Sequence, residues 1–548
     1  MSVERSELIL ADDFTFLSLP LSFSLIPLKI CQDLILDLNE SLGKNWKTYH
    51  QIELTSDIKT LQSSLYHIVY DALSLPDCED YLNYSLVILE KTIIFLSSLI
   101  AISVNFFYLL VSEAEQTIAY YFSIEHTLEI KEHKKPDNIL VGTATCTYQD
   151  TGTFENSQWA RWQETIGLPQ ENRSHHSGNL FTLYRENPGA VIARLKTLGV
   201  NSYRFSIEWS QIQPEEKDYD LDAMSVYKRL AQLLKAEGIE PMVTFHHFSE
   251  PLWFHDSGSF NNDENCHKFA DFCEFVTREM KDNVNLFCTI NEPNIEAFSR
   301  YVRGAFSPGN IFQFHKGLKF LIQALKAHNL AYDKVKAIKP AALVGFSHQY
   351  LRFIGANSIT TLVADVLSRF VNEVTLKALE TDEIVFSLPF HHPFATKIDK
   401  IKTDFIGVQY YTRPILGFIG SIGATSTSPM TLMPFREDPE GLKEAILTVH
   451  MASKKPIIVT ENGVSTENPE QRARYFKKAL NAFMEAKEQI GKDLLGYYQW
   501  AFTRNFEWDM GMRPQNFGAF NLIEQGERMA IAEHPKEGME PFIAFAKS

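Results

Sequence analysis

Basic residues are under-represented in this chain: 52 lysines and arginines stand against 68 aspartates and glutamates, a formal net charge of −16. Without a basic stripe to displace counterions from a phosphate backbone, a nucleic-acid partner is excluded. The six cysteines (Cys31, Cys78, Cys146, Cys266, Cys273, Cys288) form no CxxC pair and no framework spacing. Cys146 and Cys288 fall among predicted strands, so buried free thiols of a reducing compartment are expected, not disulfides. No GxGxxG or Walker sequence is present to support a nucleotide site. His246 and His247 come without HxH or HExxH spacing, and neither a metal nor another cofactor is expected. Internal repeats and low-complexity tracts are missing too. The first fifteen residues hold Glu4, Glu7, Asp12 and Asp13 with Arg5 as their sole base. A secretory signal opens on positive charge, so a cytoplasmic protein is expected, with or without membrane association.

What is present divides near residue 135. Residues 1–135 are acidic, with leucine-rich stretches at helical spacing, and read as an apolar, mainly helical extension. Within it Thr92–Val111 is uncharged, long enough to cross a bilayer, and preceded by Lys91. Two readings stand: a membrane contact through 92–111, or a buried hairpin helix, which Asn105 and the serines favour. Phe14–Ile30 is also apolar, but Pro20 and Pro27 break it. Lys131–Asp137 is a polar linker punctuated by Pro136.

From 136 to 548, short β-rich runs alternate with amphipathic segments, the pattern of βα units. The eight runs are Ile139–Ala144, Tyr203–Ile207, Met242–His246, Leu286–Asn291, Leu343–His348, Phe405–Tyr410, Ile457–Thr460 and Tyr497–Ala501. Between them Ala190–Leu198 and Ser225–Glu237 carry apolar residues at helical spacing and stop at Gly199 and Gly238. Eight such units predict an α/β protein of the (β/α)8 TIM-barrel class; a doubly wound open sheet is the other architecture the pattern permits.

Two of the runs end on a glutamate flanked by asparagine and a turn-former: Asn291-Glu292-Pro293 and Glu461-Asn462-Gly463. Strand C-terminal ends share one mouth in a barrel, and two carboxylates there are the minimum for cleaving a glycosidic bond. Glu292 is read as the proton donor, its pKa raised by apolar surroundings or by Glu461; Glu461 must stay ionised to attack the anomeric carbon. Arg204, a cation inside an apolar strand, needs a carboxylate partner, and Glu461 is the one expected. His247 suits a sugar hydroxyl and His246 a buried place against the helices. Trp500 and the run Asn505-Phe506-Glu507-Trp508 combine aromatic plates with a carboxylate, matching a pyranose's apolar face and its hydroxyls.

With these residues in view, the chain resembles glycoside hydrolase family 1, the β-glucosidase family, from Pro136 to Glu524. The motifs that carry the resemblance are TINEPN around Glu292, IVTENGV around Glu461, YRFSIEW at Tyr203–Trp209 and NFEWDMG at Asn505–Gly511. The resemblance implies Glu292 as acid/base, Glu461 as nucleophile and Tyr411 as the tyrosine that steadies it. It implies Asn291 at the sugar 2-hydroxyl, Gln149 at the 3- and 4-hydroxyls, Glu507 at the 4- and 6-hydroxyls, and Trp500 and Trp508 as stacking and hydroxyl-binding tryptophans. Phe248 stands where the family usually has tryptophan, Gln409 for asparagine and Arg504 for aspartate, and Ser177–Tyr184 lacks the family's acidic-aromatic motif. Members acting on 6-phosphosugars carry a Ser/Lys/Tyr set where this chain has Glu507-Trp508, so the expected substrate is an unphosphorylated β-glucoside or β-galactoside. A looser similarity to the plant membrane-bound branch that transfers galactose between galactolipids keeps a membrane-associated transglycosylase as an alternative. A non-catalytic carbohydrate-binding barrel is the other. The sequence leaves oligomeric state open.

Overall fold

The computed structural model describes residues 133–548 apart from 153, 357, 389–392, 417–428, 434, 513–515 and 526–527. The expected helical extension, including 92–111 and Phe14–Ile30, lies outside the described residues. Among the described residues no helix is long and apolar enough to cross a membrane.

Eight parallel strands close a barrel: β1 (Leu140–Ala144), β2 (Ser202–Ser206), β3 (Glu240–His246), β4 (Leu286–Ile290), β5 (Leu343–Gln349), β6 (Phe405–Tyr410), β7 (Ile457–Asn462) and β8 (Leu494–Trp500). They pair in sequence order, and β1 pairs with β8 to shut the ring. The open-sheet alternative is thereby ruled out. Every residue of β2, β4, β6 and β7 is buried, as expected for strands covered by helices outside and side chains within.

Alternation along β2 shows how one strand serves two layers. Phe205 stacks on Tyr227 of the surrounding helix Leu221–Ala236, while Arg204 points the other way, into the barrel. That helix buries Ala223, Val226, Tyr227, Leu230 and Leu234 on one face, and Asp220 caps it by accepting from the Ala223 N–H at 2.8 Å. The helix Pro188–Leu198 is capped by Asn187 and ends at Gly199, whose φ of +77° favours glycine. Both helices begin a few residues before their predicted starts.

Strand ends differ from expectation by a few residues, and one difference has a clear cause. β8 begins at Leu494, not Tyr497, because Gly496 reads as a break yet continues the ladder. A Cβ there would lie 2.9 Å from the Leu140 carbonyl oxygen, so the close approach of β1 requires glycine. Gly345 of β5 is tighter: its Cβ would sit 2.3 Å from the Phe405 carbonyl oxygen, a backbone atom that cannot step aside. Gly345→Ala is therefore expected to cost about 1–3 kcal/mol by overpacking, read as a lowered urea midpoint. An unchanged midpoint would mean β5 and β6 have room to separate.

The four described cysteines are all buried and free. Cys288 lies in β4 as expected; Cys146 lies just past β1, at the N-cap of the short helix Thr147–Thr151.

Candidate active site

Both glutamates face one cavity of ≈ 420 Å³ at the C-terminal mouth of the barrel, which Gln149, His247, Tyr411, Trp500, Glu507 and Trp508 also line. Local backbone aims three of its walls. Glu292 follows β4 with φ +44°, Phe248 follows β3 with φ +63°, and Trp508 follows the β8 loop with φ +53°. Non-glycine residues in the left-handed region are held there at a cost of ~1–3 kcal/mol each, and such strain collects at functional sites. Glu461 is aimed differently: the register of β7 against β6 slips between Val459 and Glu461, a bulge that re-directs the strand end.

Glu461 is the most heavily bonded group in the cavity. Arg204, fully buried, donates from Nη1 to Glu461 Oε1 at 2.5 Å and from Nη2 to Asn291 Oδ1 at 2.6 Å, with Nε on Thr244 Oγ1. Gln409 Nε2 donates to the same Glu461 oxygen at 2.7 Å and to Asn291 Oδ1 at 2.8 Å; the Tyr411 hydroxyl donates to Glu461 Oε2 at 2.8 Å. Burial pushes the Glu461 carboxyl up, and Arg204, Tyr411 and Gln409 pull against it.

Glu292 is pushed much further up, first by burial and then by the charge of Glu461, with Arg204 pulling the other way. No ion pair reaches it among the described residues. Its neighbour is the Gln349 amide, 3.1–3.2 Å from both carboxyl oxygens when the NH2 is turned toward them. That orientation serves an ionised Glu292; turned about, the amide oxygen accepts the O–H of a protonated one. The asymmetry sets the order of ionisation: Glu461 loses its proton first, Glu292 keeps its own.

The expected sugar-contacting residues are gathered around this pair. Gln149 is anchored through Nε2 on the Phe506 carbonyl at 2.7 Å, and its buried Oε1 has no partner among the described residues. Glu507 is pushed up to about 8 by burial, opposed by the Trp500 indole N–H and reinforced by Glu461 and Asp150, so it can donate as well as accept. His247 lies 4.0 Å from Glu461, but burial and then the Arg204 charge hold its imidazole well below the ordinary value. The contact is therefore between a neutral ring and a carboxylate, not an ion pair. His247 also stacks on Trp500 at 5.8 Å. Asn291 is buried beneath Arg204 and Gln409 and is not part of the cavity lining; its Nδ2 has no partner among the described residues. Phe248 packs edge-on against Phe306 and Trp508, and Arg504 donates to the Met512 carbonyl at 3.0 Å.

His246 lies, as expected, away from the cavity. It bonds Glu296 at 2.8 Å, and Arg300 ties Glu296 to Glu250 at 2.7 and 2.9 Å. The three ligand-type groups come close enough for a cation, but the Arg300 guanidinium already bridges both carboxylates. Sequence reasoning missed Gln349, which ends β5 without a motif. It also missed Phe298, Leu351, Phe353, Leu367 and Leu416, which line the far wall of the cavity. Of the second group, Phe298 alone shares an element with Glu292, on the helix Pro293–Tyr301 that Glu292 caps.

This geometry agrees with comparison to known proteins. The model of glycosyl hydrolase family 1 matches residues 131–369 and 396–529. The chain belongs to glycosyl hydrolase family 1. β-Glucosidase A of Acetivibrio thermocellus is 26% identical over 426 residues, an alignment covering 71% of this chain and 93% of that protein. A chloroplastic galactolipid galactosyltransferase of Arabidopsis thaliana is 27% identical over 385 residues, covering 66% of this chain but 57% of that protein's own length. Among solved structures, the β-glycosidase from Pyrococcus horikoshii superposes with a TM-score of 0.65 at 29% identity, over 76% of this chain and 96% of that one. Membership of this family places a glycosyl hydrolase domain on the barrel that the sequence predicted.

Proposed function

We propose that the protein is a retaining β-glycosidase acting on unphosphorylated β-glucosides or β-galactosides. The observation that carries this reading is the unequal bonding of two glutamates on one cavity: three donors hold Glu461 and, among the described residues, no cation holds Glu292. In the first step the Glu461 carboxylate attacks the anomeric carbon while the glycosidic oxygen departs with the proton of Glu292, leaving a glycosyl ester on Glu461. In the second, Glu292, now a carboxylate, takes a proton from water as that water attacks the same carbon and frees Glu461. Gln349 can follow both states by presenting oxygen to the acid and nitrogen to the base. Tyr411 and Arg204 orient the nucleophile; Gln149, Glu507 and the tryptophans hold the sugar.

Glu292→Gln tests the acid role through the leaving group. Dinitrophenolate departs without a proton, so formation of the glycosyl ester from its glycoside should be nearly unaffected, while alkyl glycosides lose about 10²–10⁴-fold in kcat/KM. For wild type, kcat/KM against pH should be bell-shaped: the acid limb follows ionisation of the pair's first proton, and the alkaline limb follows loss of the proton that Glu292 must donate. The variant should lose the alkaline limb. Equal losses for both kinds of leaving group would contradict the assignment.

A second reading keeps the same ester and replaces water by a lipid-borne hydroxyl. Similarity to the galactolipid galactosyltransferase supports it. Incubation with galactolipid in membranes should then yield oligogalactolipid; free galactose alone would remove it.

A further inference from the structure

Beyond Glu292 the cavity changes character. Its lining divides by strand: β8 and the segments after β8, β1 and β3 bring Glu507, the tryptophans, Gln149 and His247, while those after β4, β5 and β6 bring Phe298, Leu351, Phe353, Leu367, Leu416 and Phe435. Phe298 lies on the helix that Glu292 caps, and its ring meets Phe353 at 6.0 Å. Because Glu292 hands its proton to the departing oxygen, this is the side on which the leaving group lies. That placement rests on the reading under Proposed function.

Among the described residues, most polar groups on this wall are already engaged. Thr412 donates to the Arg436 carbonyl at 2.7 Å, Arg303 pairs with Asp509 at 2.7 Å, and Gln349 faces Glu292. Ser299 adds one nearly buried hydroxyl. A second pyranose would bring several hydroxyls into this wall, each desolvated for ~1–3 kcal/mol where no partner meets it. An aliphatic chain brings none, and gains by leaving water for a surface of leucine and phenylalanine side chains.

We propose that this half of the cavity is a subsite for an aliphatic chain, so that the leaving group is a long-chain alcohol or an acyl-bearing glycerol, not a second sugar. The chain would run from the departing oxygen past Phe298 and Phe353 toward Leu416, with the hydroxyl end beside Glu292.

Binding of n-alkyl 1-thio-β-glucosides to the full chain, from methyl to octyl and below their aggregation concentrations, tests this without turnover; the galactosides are run in parallel. Calorimetry should show Kd falling by about threefold per added methylene over the stretch the wall covers. Leu351→Gln with Leu416→Gln should flatten that slope, and Leu351→Met with Leu416→Met should restore it. A flat series in the wild-type protein, or tighter binding of thiocellobioside than of octyl thioglucoside, would overturn the proposal. Failure of the two-glutamate reading looks different: no release of nitrophenol from nitrophenyl glycosides, whatever the slope of the binding series. The two sources of such a chain separate in a turnover arm. Release of sugar from a β-glycosyl diacylglycerol held in phosphatidylcholine vesicles assigns a lipid; turnover confined to soluble octyl glycoside assigns a free alkyl glycoside.

Discussion

Replacing Glu461 with alanine is expected to lower kcat by roughly 10⁴-fold or more, because the group that would form the glycosyl ester is gone. The cavity left behind opens beside the anomeric carbon, and azide can occupy it. With an activated aryl β-glycoside, azide should restore turnover and give the α-glycosyl azide, the product of a single displacement. Glu292→Ala should behave as a mirror image: azide intercepts the ester on Glu461 and gives the β-azide. The stereochemistry of the two products, read by NMR, assigns the two roles independently of rate. Removing Glu461 also leaves Arg204 buried with Asn291, Thr244 and the Thr460 carbonyl as its remaining acceptors. Glu461→Gln keeps an acceptor at that position and is the control for folding.

Arg204→Met should be the most damaging change for stability. The guanidinium is fully buried and meets four acceptors, and removing one partner of a buried pair costs about 3–5 kcal/mol because the other charge stays desolvated. The pH dependence has a definite sign. Without its cation, the folded-state pKa of Glu461 moves further above the unfolded value, so the variant binds a proton that the unfolded chain releases more readily. Its deficit relative to wild type is then absent below the wild-type folded pKa, itself above the unfolded value, and grows as pH rises from there toward the variant's higher one. Melting temperatures of the two proteins should converge in acid and part toward neutrality. In kinetics, the nucleophile ionises later, so the acid limb of kcat/KM moves to higher pH. A uniform gap in melting temperature at all pH values would mean that Arg204 serves packing and not the charge of Glu461.

The parts of this site that were legible in the sequence share a cause. Arg204, Glu292 and Glu461 are charged groups set in or at the end of apolar strands, where a fold with no use for them would not place them. Gln349 had no such contrast, since Ser347, His348 and Gln349 end β5 as an ordinary polar strand terminus. The apolar wall was invisible for the opposite reason: its residues come from separate segments, each indistinguishable from core until the chain brings them to one cavity. The hairpin Phe520–Gln525 and Arg528–Pro535 also went unassigned. Part of its backbone is satisfied by the Arg194 side chain, which donates to the Ile531 and Ala532 carbonyls, and such a long-range contact leaves no local pattern. The barrel itself was readable because eight buried strands alternate with amphipathic helices; their ends were not, because caps and glycines such as Gly496 punctuate the sequence without ending the ladder.

Mass spectrometry of the intact protein after exposure to a 2-deoxy-2-fluoro-β-glycoside of dinitrophenol is the most direct measurement of the paired-glutamate mechanism. The fluorine slows both steps and the good leaving group hastens the first, so the ester accumulates. One fluoroglycosyl unit per chain is predicted, carried by the peptide that contains Glu461 and displaced slowly on dilution. A folded protein that hydrolyses glycosides yet takes up no label, or takes it up on another residue, would contradict the account.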